Sequence, residues 1–84
     1  MKNDRRITVI IQSGRGSQEF TFPQQTKAHD AANEAAVALG YPPGGAYVLV
    51  RLKTGEELEA ERPLVSYHIE DGETLALSET GSGV

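Results

Sequence analysis

The stretch of residues 63–77 constrains the fold more than any other part of the chain. It opens with a proline and a short apolar turn, crosses an acidic turn that contains Gly72, and ends with apolar residues at alternate positions. That alternation is typical of a strand with one buried face. The side chains of the stretch that we expect to pack in the core are Leu64, Tyr67, Ile69, Leu75 and Leu77. The rest of the chain must supply the surfaces against which they pack.

The chain has 84 residues and no cysteine. This length predicts a single domain, and a domain of this size leaves little room for a deep catalytic cleft. The absence of cysteine excludes disulfides, thiolate metal sites and a cysteine nucleophile. His29 and His68 have no partners at metal-ligand spacing, so we expect no metal site. We therefore predict that the chain is not an enzyme.

The charge balance argues against nucleic acid as a partner. Twelve acidic and eight basic residues give a net charge of -4, whereas phosphate contacts need clustered lysine and arginine. The first residues are polar and are followed by no apolar stretch long enough for a signal or a membrane span. We expect a soluble, cytoplasmic protein that is a monomer when free.

The first half of the chain predicts a hairpin followed by a helix. Residues 6–12 are rich in β-branched side chains and predict a strand with Ile7, Val9 and Ile11 towards the core and Ile10 on the outer face. Residues 13–17 form a turn, and residues 18–22 return with two phenylalanines on the core face. A helix over 27–39 follows, with Thr26 as its N-cap and Gly40 as its left-handed C-terminal cap. Its buried stripe is nearly all alanine: Ala28, Ala32, Ala35 and Leu39, flanked by Ala31 and Ala36.

The second half predicts three further strands, over 46–53, 57–59 and 73–77. Alternation in the first of them is interpreted as placing Tyr47 and Leu49 on the outer face, beside Ile10. These three residues are the candidate partner surface. Residues 1–5 are expected to fray, residues 6–77 to form the folded domain, and residues 78–84 to be a flexible tail.

The order strand, strand, helix, strand, short strand, strand predicts an α+β fold of the β-grasp type: a mixed sheet of about five strands packed on one helix. At this point the residues resemble ubiquitin over roughly residues 7–77. The run Gly55-Glu56-Glu57-Leu58 and the spacing from it to Leu64, Tyr67, Ile69 and Leu75 are similar to ubiquitin's, and so is the helix exit Gly40-Tyr41-Pro42-Pro43. The resemblance implies that the Tyr67 hydroxyl ties its loop back to the backbone.

The resemblance also implies a function, that of a ubiquitin-like modifier, and the operon-encoded bacterial modifiers are the closest match in kind. Such a protein reacts through its C-terminal carboxylate. The implied partners are an activating enzyme, which uses ATP that the modifier itself does not bind, a conjugating enzyme, and a processing peptidase or deubiquitinase-like protease. Gly83 is the predicted reactive residue after removal of Val84, with Gly81 as the less favoured position. Lys2, Lys27 and Lys53 are the only lysines and the candidate acceptors for chains.

Two other functions stay open. A β-grasp domain can dock partners without being conjugated, and the acidic, glycine-containing end of this chain is then an ordinary tail. Sulfur carriers of thiamin and molybdopterin synthesis are also β-grasp proteins, but they end in two glycines, and that pair is absent here.

Overall fold

A computed structural model describes residues 5–42 and 44–79. The elements in chain order are β1 (Arg6–Ser13), β2 (Gly16–Pro23), α1 (Ala28–Ala38), β3 (Tyr47–Arg51), β4 (Glu56–Glu57), a 3-10 turn (Leu64–Tyr67) and β5 (Glu73–Glu79). The strands form one sheet in the order β2-β1-β5-β3-β4. β1 pairs in parallel with β5, and the other neighbours are antiparallel. The predicted α+β fold, with a mixed five-stranded sheet and one helix, is confirmed.

The core lies between α1 and one face of the sheet. Ile7, Val9 and Ile11 are buried as predicted, and so are the five alanines of the helix stripe. Leu39 packs against this core from its edge and is only partly buried, as is Phe20, whose ring stacks on that of buried Phe22 with 5.8 Å between centroids. Alanine side chains are short, so α1 can lie close to the strands.

The start of α1 differs from the prediction. Lys27, not Thr26, is the N-cap residue, and no side chain among the described residues makes a capping hydrogen bond there. The amides of Ala28 and His29 instead donate to the carbonyls of Arg62 and Ala60, at 2.9 and 3.0 Å. Because the loop before the 3-10 turn supplies these acceptors, the helix needs no capping hydroxyl.

The end of α1 follows the prediction. Gly40 has φ +96°, a conformation that costs a glycine little. Its amide donates to Val37 at 3.1 Å, and the amide of Tyr41 donates to Ala36 at 2.8 Å. These two bonds form a Schellman motif, which satisfies carbonyls that the last turn leaves without partners.

Strand ends differ from the predicted ones by a few residues. β4 covers only Glu56–Glu57, and Leu58 beyond it is buried. β5 continues to Glu79, two residues past the predicted end of the domain at Leu77. At the other end, the carbonyl of Arg5 accepts from the amide of Gln24 at 3.2 Å. Among the residues that the structure describes, no helix is long and apolar enough to cross a membrane.

Candidate docking face and C-terminal strand

The side of the sheet away from α1, here called the open face, has no element packed on it within the described residues. On β1 the alternation that buries Ile7, Val9 and Ile11 turns Thr8, Ile10 and Gln12 to this face. The hydroxyls of Thr8 and Thr21 lie 3.0 Å apart across β1 and β2, as expected for neighbours on one face.

Four apolar side chains cross the centre of the open face, and we call them the open-face strip. They are Ile10 on β1, Ala76 on β5, and Val48 and Val50 on β3, all of them half-buried. Val50 lies opposite Ala76, and Ile10 lies opposite Thr74, the residue two before Ala76. The strip therefore spans three adjacent strands at the middle of the sheet.

Two of the three residues predicted for the partner surface are not on it. Tyr47 and Leu49 are only 8% and 1% exposed and belong to the core. Leu49 lies opposite buried Leu77, and the Tyr47 hydroxyl donates to the carbonyl of Pro42 at 2.7 Å. Only Ile10 was assigned to the correct face.

The prediction from sequence assigns the wrong face of β3 to the core, because both faces of this strand carry apolar residues. Pairing with β5 decides between them, and it turns Val48 and Val50 outwards. The sequence argues against the observed arrangement at one residue, since Arg51 then points towards the core together with Tyr47 and Leu49. The core tolerates Arg51 because Glu73 on β5 forms an ion pair with it. Alternation along β3 alone could not predict this pairing between two strands.

Carboxylates edge the open face on both sides. Glu19 on β2 lies opposite Ile10, and Glu57 on β4 lies opposite Val50. Both are exposed, and alternation places both on the open face. Within residues 5–42 and 44–79 neither takes part in an ion pair.

On the side of the sheet opposite the open face, an ion pair lies where β3 ends and β5 begins. Arg51 Nε and Nη2 donate to the two carboxylate oxygens of Glu73 at 2.5 and 3.0 Å, and the side chains are only 13% and 7% exposed. The amide of Glu70 donates to Glu73 at 3.2 Å, and Arg51 also reaches the carbonyl of His68 at 3.4 Å. The hydrogen bond from Arg51 lowers the pKa of Glu73 below its ordinary value, although burial acts in the opposite direction.

Tyr67 has the role that the resemblance implied. It is 6% exposed, and its hydroxyl accepts from the amide of Glu59 at 2.7 Å. The Arg62 guanidinium lies over its ring at 4.6 Å from the centroid. Tyr67 thus fixes the loop between β4 and the 3-10 turn.

The predicted conjugation residues have little structural context. Lys27 and Lys53 are 53% and 55% exposed and contact Glu61 and Glu70, at 3.2 and 3.9 Å. Lys2, Gly81, Gly83 and Val84 lie outside the described residues, as does Pro43 of the helix exit. The segment that contains the two glycines follows Glu79, the end of the strand at the centre of the sheet.

Little in the described part of the chain resembles a reaction centre. Its His, Asp and Glu residues include no group of three or more that could hold a metal ion. A cavity between α1 and β3, lined by residues that include His29 and Leu49, is only large enough for about one water molecule.

Comparison with known proteins supports the fold. No protein-family model and no curated relative matches the chain. Among solved structures, a de novo design based on ubiquitin is 23% identical, with a TM-score of 0.75 and 93% of each chain covered. A structure described as molecular mimicry of SUMO that promotes DNA repair is 15% identical, with a TM-score of 0.78, covering 92% of this chain and 95% of that one. The ubiquitin-like domain of an Arabidopsis thaliana protein is also 15% identical, with a TM-score of 0.74 and coverage of 93% and 81%. The chain has the ubiquitin-like β-grasp fold.

Proposed function

We propose that this protein is a ubiquitin-like modifier that reacts through a carboxylate at Gly83, exposed by cleavage after that residue. The observation that carries the proposal is the ubiquitin-like fold, together with a sequence after the central strand β5 that contains two glycines. The compact domain serves for recognition, and the segment beyond Glu79 supplies the reacting group.

The chemistry is carried out by the partner enzymes. An activating enzyme joins the Gly83 carboxylate to AMP from ATP and releases pyrophosphate. A cysteine thiol of that enzyme then displaces AMP to form a thioester, which a conjugating enzyme accepts and delivers to an amine of the target with release of the thiol. Glycine suits this position because no side chain obstructs attack on its carbonyl. Lys2, Lys27 and Lys53 are the acceptors that we propose if the protein forms chains on itself.

Digestion with a glutamate-specific protease tests the proposal. The protein, with an N-terminal epitope tag, is expressed in its source cells and purified under denaturing conditions. The last glutamate is Glu79, so a target lysine modified through Gly83 retains the four residues 80–83 after digestion. Attachment through Gly81 leaves only residues 80 and 81. Mass spectrometry distinguishes the two remnants.

The matched control is a chain that lacks residues 80–84. Its conjugates should disappear while its circular dichroism and urea midpoint stay those of the full chain, because the deletion removes no residue of the described sheet or core. If the full chain yields no lysine remnant and keeps its full mass in these cells, the modifier proposal is wrong.

The second candidate is an interaction module that is never conjugated. The open-face strip favours it, because a contiguous apolar patch on an otherwise polar surface is often a docking site. In that case partners bind equally well to the full chain and to the chain without residues 80–84, and no remnant is found.

A further inference from the structure

The outer edge of β2 lacks the features that usually keep a strand edge from pairing. β2 lies at one end of the sheet, and its eight residues pair with β1 without a bulge. Its only charged residue is Glu19, and its only proline, Pro23, is its last residue. At the opposite edge, β4 has just two residues and both are glutamates. Because short length, charge and bulges are what protect sheet edges, β4 is protected and β2 is not.

Three residues of β2 direct their backbone amides and carbonyls away from β1. The amide of Gln24 donates to the carbonyl of Arg5 at 3.2 Å, and bonded and non-bonded positions alternate along an antiparallel pair. The positions that do not bond to β1 are therefore Ser17, Glu19 and Thr21. All three are exposed, and α1 packs mainly over β3 and β5. The outward backbone groups are accessible to a further strand.

The edge is complementary to a second copy of itself. When two copies of β2 pair antiparallel with Phe20 opposite Phe20, Glu19 lies opposite Thr21, and about four backbone hydrogen bonds form at these positions. Phe20 lies on the helix side of the sheet, is half-buried and stacks on Phe22. The pairing places its exposed part against the same ring of the other copy, which is a favourable cross-strand pair. With Glu19 at the centre instead, two carboxylates would face each other, and with Gln18 at the centre no phenylalanine rings would meet.

The charged groups near this boundary permit the pairing. The α-carbons of the two Glu19 residues are about 8 Å apart on the diagonal, a distance at which physiological salt screens exposed charges appreciably. Arg6 lies on the same face of the sheet as Glu19 and opposite Pro23. The pairing brings Arg6 to about 12 Å from Glu19 of the second copy, compared with about 14 Å from its own. The repulsion between the carboxylates is therefore small and partly offset.

We propose that two copies of this protein associate through antiparallel pairing of their β2 edges, with Phe20 facing Phe20 across a two-fold axis. The two five-stranded sheets then join into one, with both copies of α1 on one side and both open faces on the other. A single strand pair buries less than the roughly 800 Å² per partner of a standard interface, so the association is reversible and requires protein at about 0.1 mM. The sequence alone led us to expect a monomer. The pairing does not depend on whether the chain is conjugated.

Single cysteines test the register. The chain has no cysteine, so a substituted one can form a disulfide only with another copy. Phe20→Cys should form a linked dimer in a glutathione redox buffer, because facing residues at a non-hydrogen-bonded position have α-carbons about 4.5 Å apart. In the control Gln18→Cys, on the same face of β2, the two cysteines would be about 14 Å apart. On non-reducing gels we expect roughly tenfold more dimer from Phe20→Cys than from the control.

Each outcome of the cysteine experiment decides the register. A linked dimer from Gln18→Cys and not from Phe20→Cys would overturn the proposed register. Equal linking of both variants would indicate random collision, and no linking of either would indicate that the edges do not meet, so both of these results would overturn the proposal.

Thr21→Pro tests the edge in a chain that still lacks cysteine. Proline removes the outward amide of Thr21, which does not bond to β1, and a sheet tolerates proline at such a position. Thr21→Val is the matched control, because it also loses the 3.0 Å contact between the hydroxyls of Thr8 and Thr21 but keeps the amide. Sedimentation equilibrium up to about 1 mM should show association of the full chain and of Thr21→Val, and an association of Thr21→Pro that is weaker by about tenfold or more.

Circular dichroism establishes that both variants are folded, and the cysteine pair decides the matter if Thr21→Pro is not. A full chain that stays monomeric throughout this concentration range would overturn the proposal, as would a folded Thr21→Pro variant that associates as well as Thr21→Val. None of these measurements involves Gly83, so the lysine remnants decide conjugation separately.

Discussion

The ion pair between Arg51 and Glu73 provides a stringent test of how this small domain is stabilised. The substitution Arg51→Met keeps much of the side-chain volume and removes both hydrogen bonds to Glu73. Glu73 is 7% exposed and keeps only the amide of Glu70 as a donor. Breaking a buried pair from one side typically costs about 3–5 kcal/mol, because the remaining charge is left without compensation.

The effect should depend on pH in a defined direction. In the native protein the pKa of Glu73 lies below its ordinary value of 4.5, so the pair's contribution is complete above that pH and is lost as pH falls through the folded pKa. Without Arg51 the largest cause of the lowered pKa of Glu73 is removed while burial still acts to raise it, so the ionised carboxylate contributes less stability near neutral pH. The difference in unfolding free energy between the two proteins should therefore be largest near neutral pH and smaller in acid.

Urea denaturation followed by circular dichroism, repeated between acidic and neutral pH, measures this difference. A domain of this size has a total stability of about 4–13 kcal/mol, so Arg51→Lys serves as a milder variant that keeps the charge but not the two-pronged geometry. Lys53→Met is the matched control, because it breaks an exposed contact of 3.9 Å to Glu70 and should cost less than about 0.5 kcal/mol. A pH-independent loss, or a loss no larger than that of the control, would refute the reasoning.

Two further substitutions test the core and the loops by the same urea assay. Leu49→Ala should lower the free energy of unfolding by about 2–5 kcal/mol because Leu49 is 1% exposed. Leu52→Ala should lower it by less than about 0.5 kcal/mol because Leu52 is 47% exposed. The opposite ranking would mean that Leu49 lies on the outer face, as the sequence predicts. Tyr67→Phe removes the acceptor for the amide of Glu59 and should cost about 1–3 kcal/mol if that amide is then unsatisfied. Faster hydrogen exchange at Glu59 would accompany the loss, and unchanged exchange would mean that water replaces the hydroxyl.

The elements with one apolar face could be predicted from the sequence. In β1, Ile7, Val9 and Ile11 alternate with residues that are mostly polar, and in α1 the alanines recur at helical spacing opposite acidic residues. In each case only one face of the element is apolar, so the sequence determines which face points towards the core. The cap at Gly40 was predictable for a similar reason, since few residues adopt its backbone conformation without strain.

The parts that could not be predicted depend on contacts between distant residues. The phase of β3 is set by pairing with β5, about 28 residues away, because Val48, Leu49 and Val50 are all apolar. The start of α1 depends on carbonyls from the loop at Ala60 and Arg62, so Thr26 looks like a cap in sequence but does not act as one. Local rules contain no information about either contact.

The position of β5 has a consequence for synthesis of the chain. β5 comes last among the described strands, yet it lies between β1 and β3 and carries Ala76 of the open-face strip. On the ribosome, β1 and β3 lack a shared neighbour until β5 has emerged, so the domain must assemble late and mostly in one step. An unfinished chain therefore lacks part of the open-face strip. Docking on the open-face strip, if the proposed role holds, therefore requires that β5 has been translated.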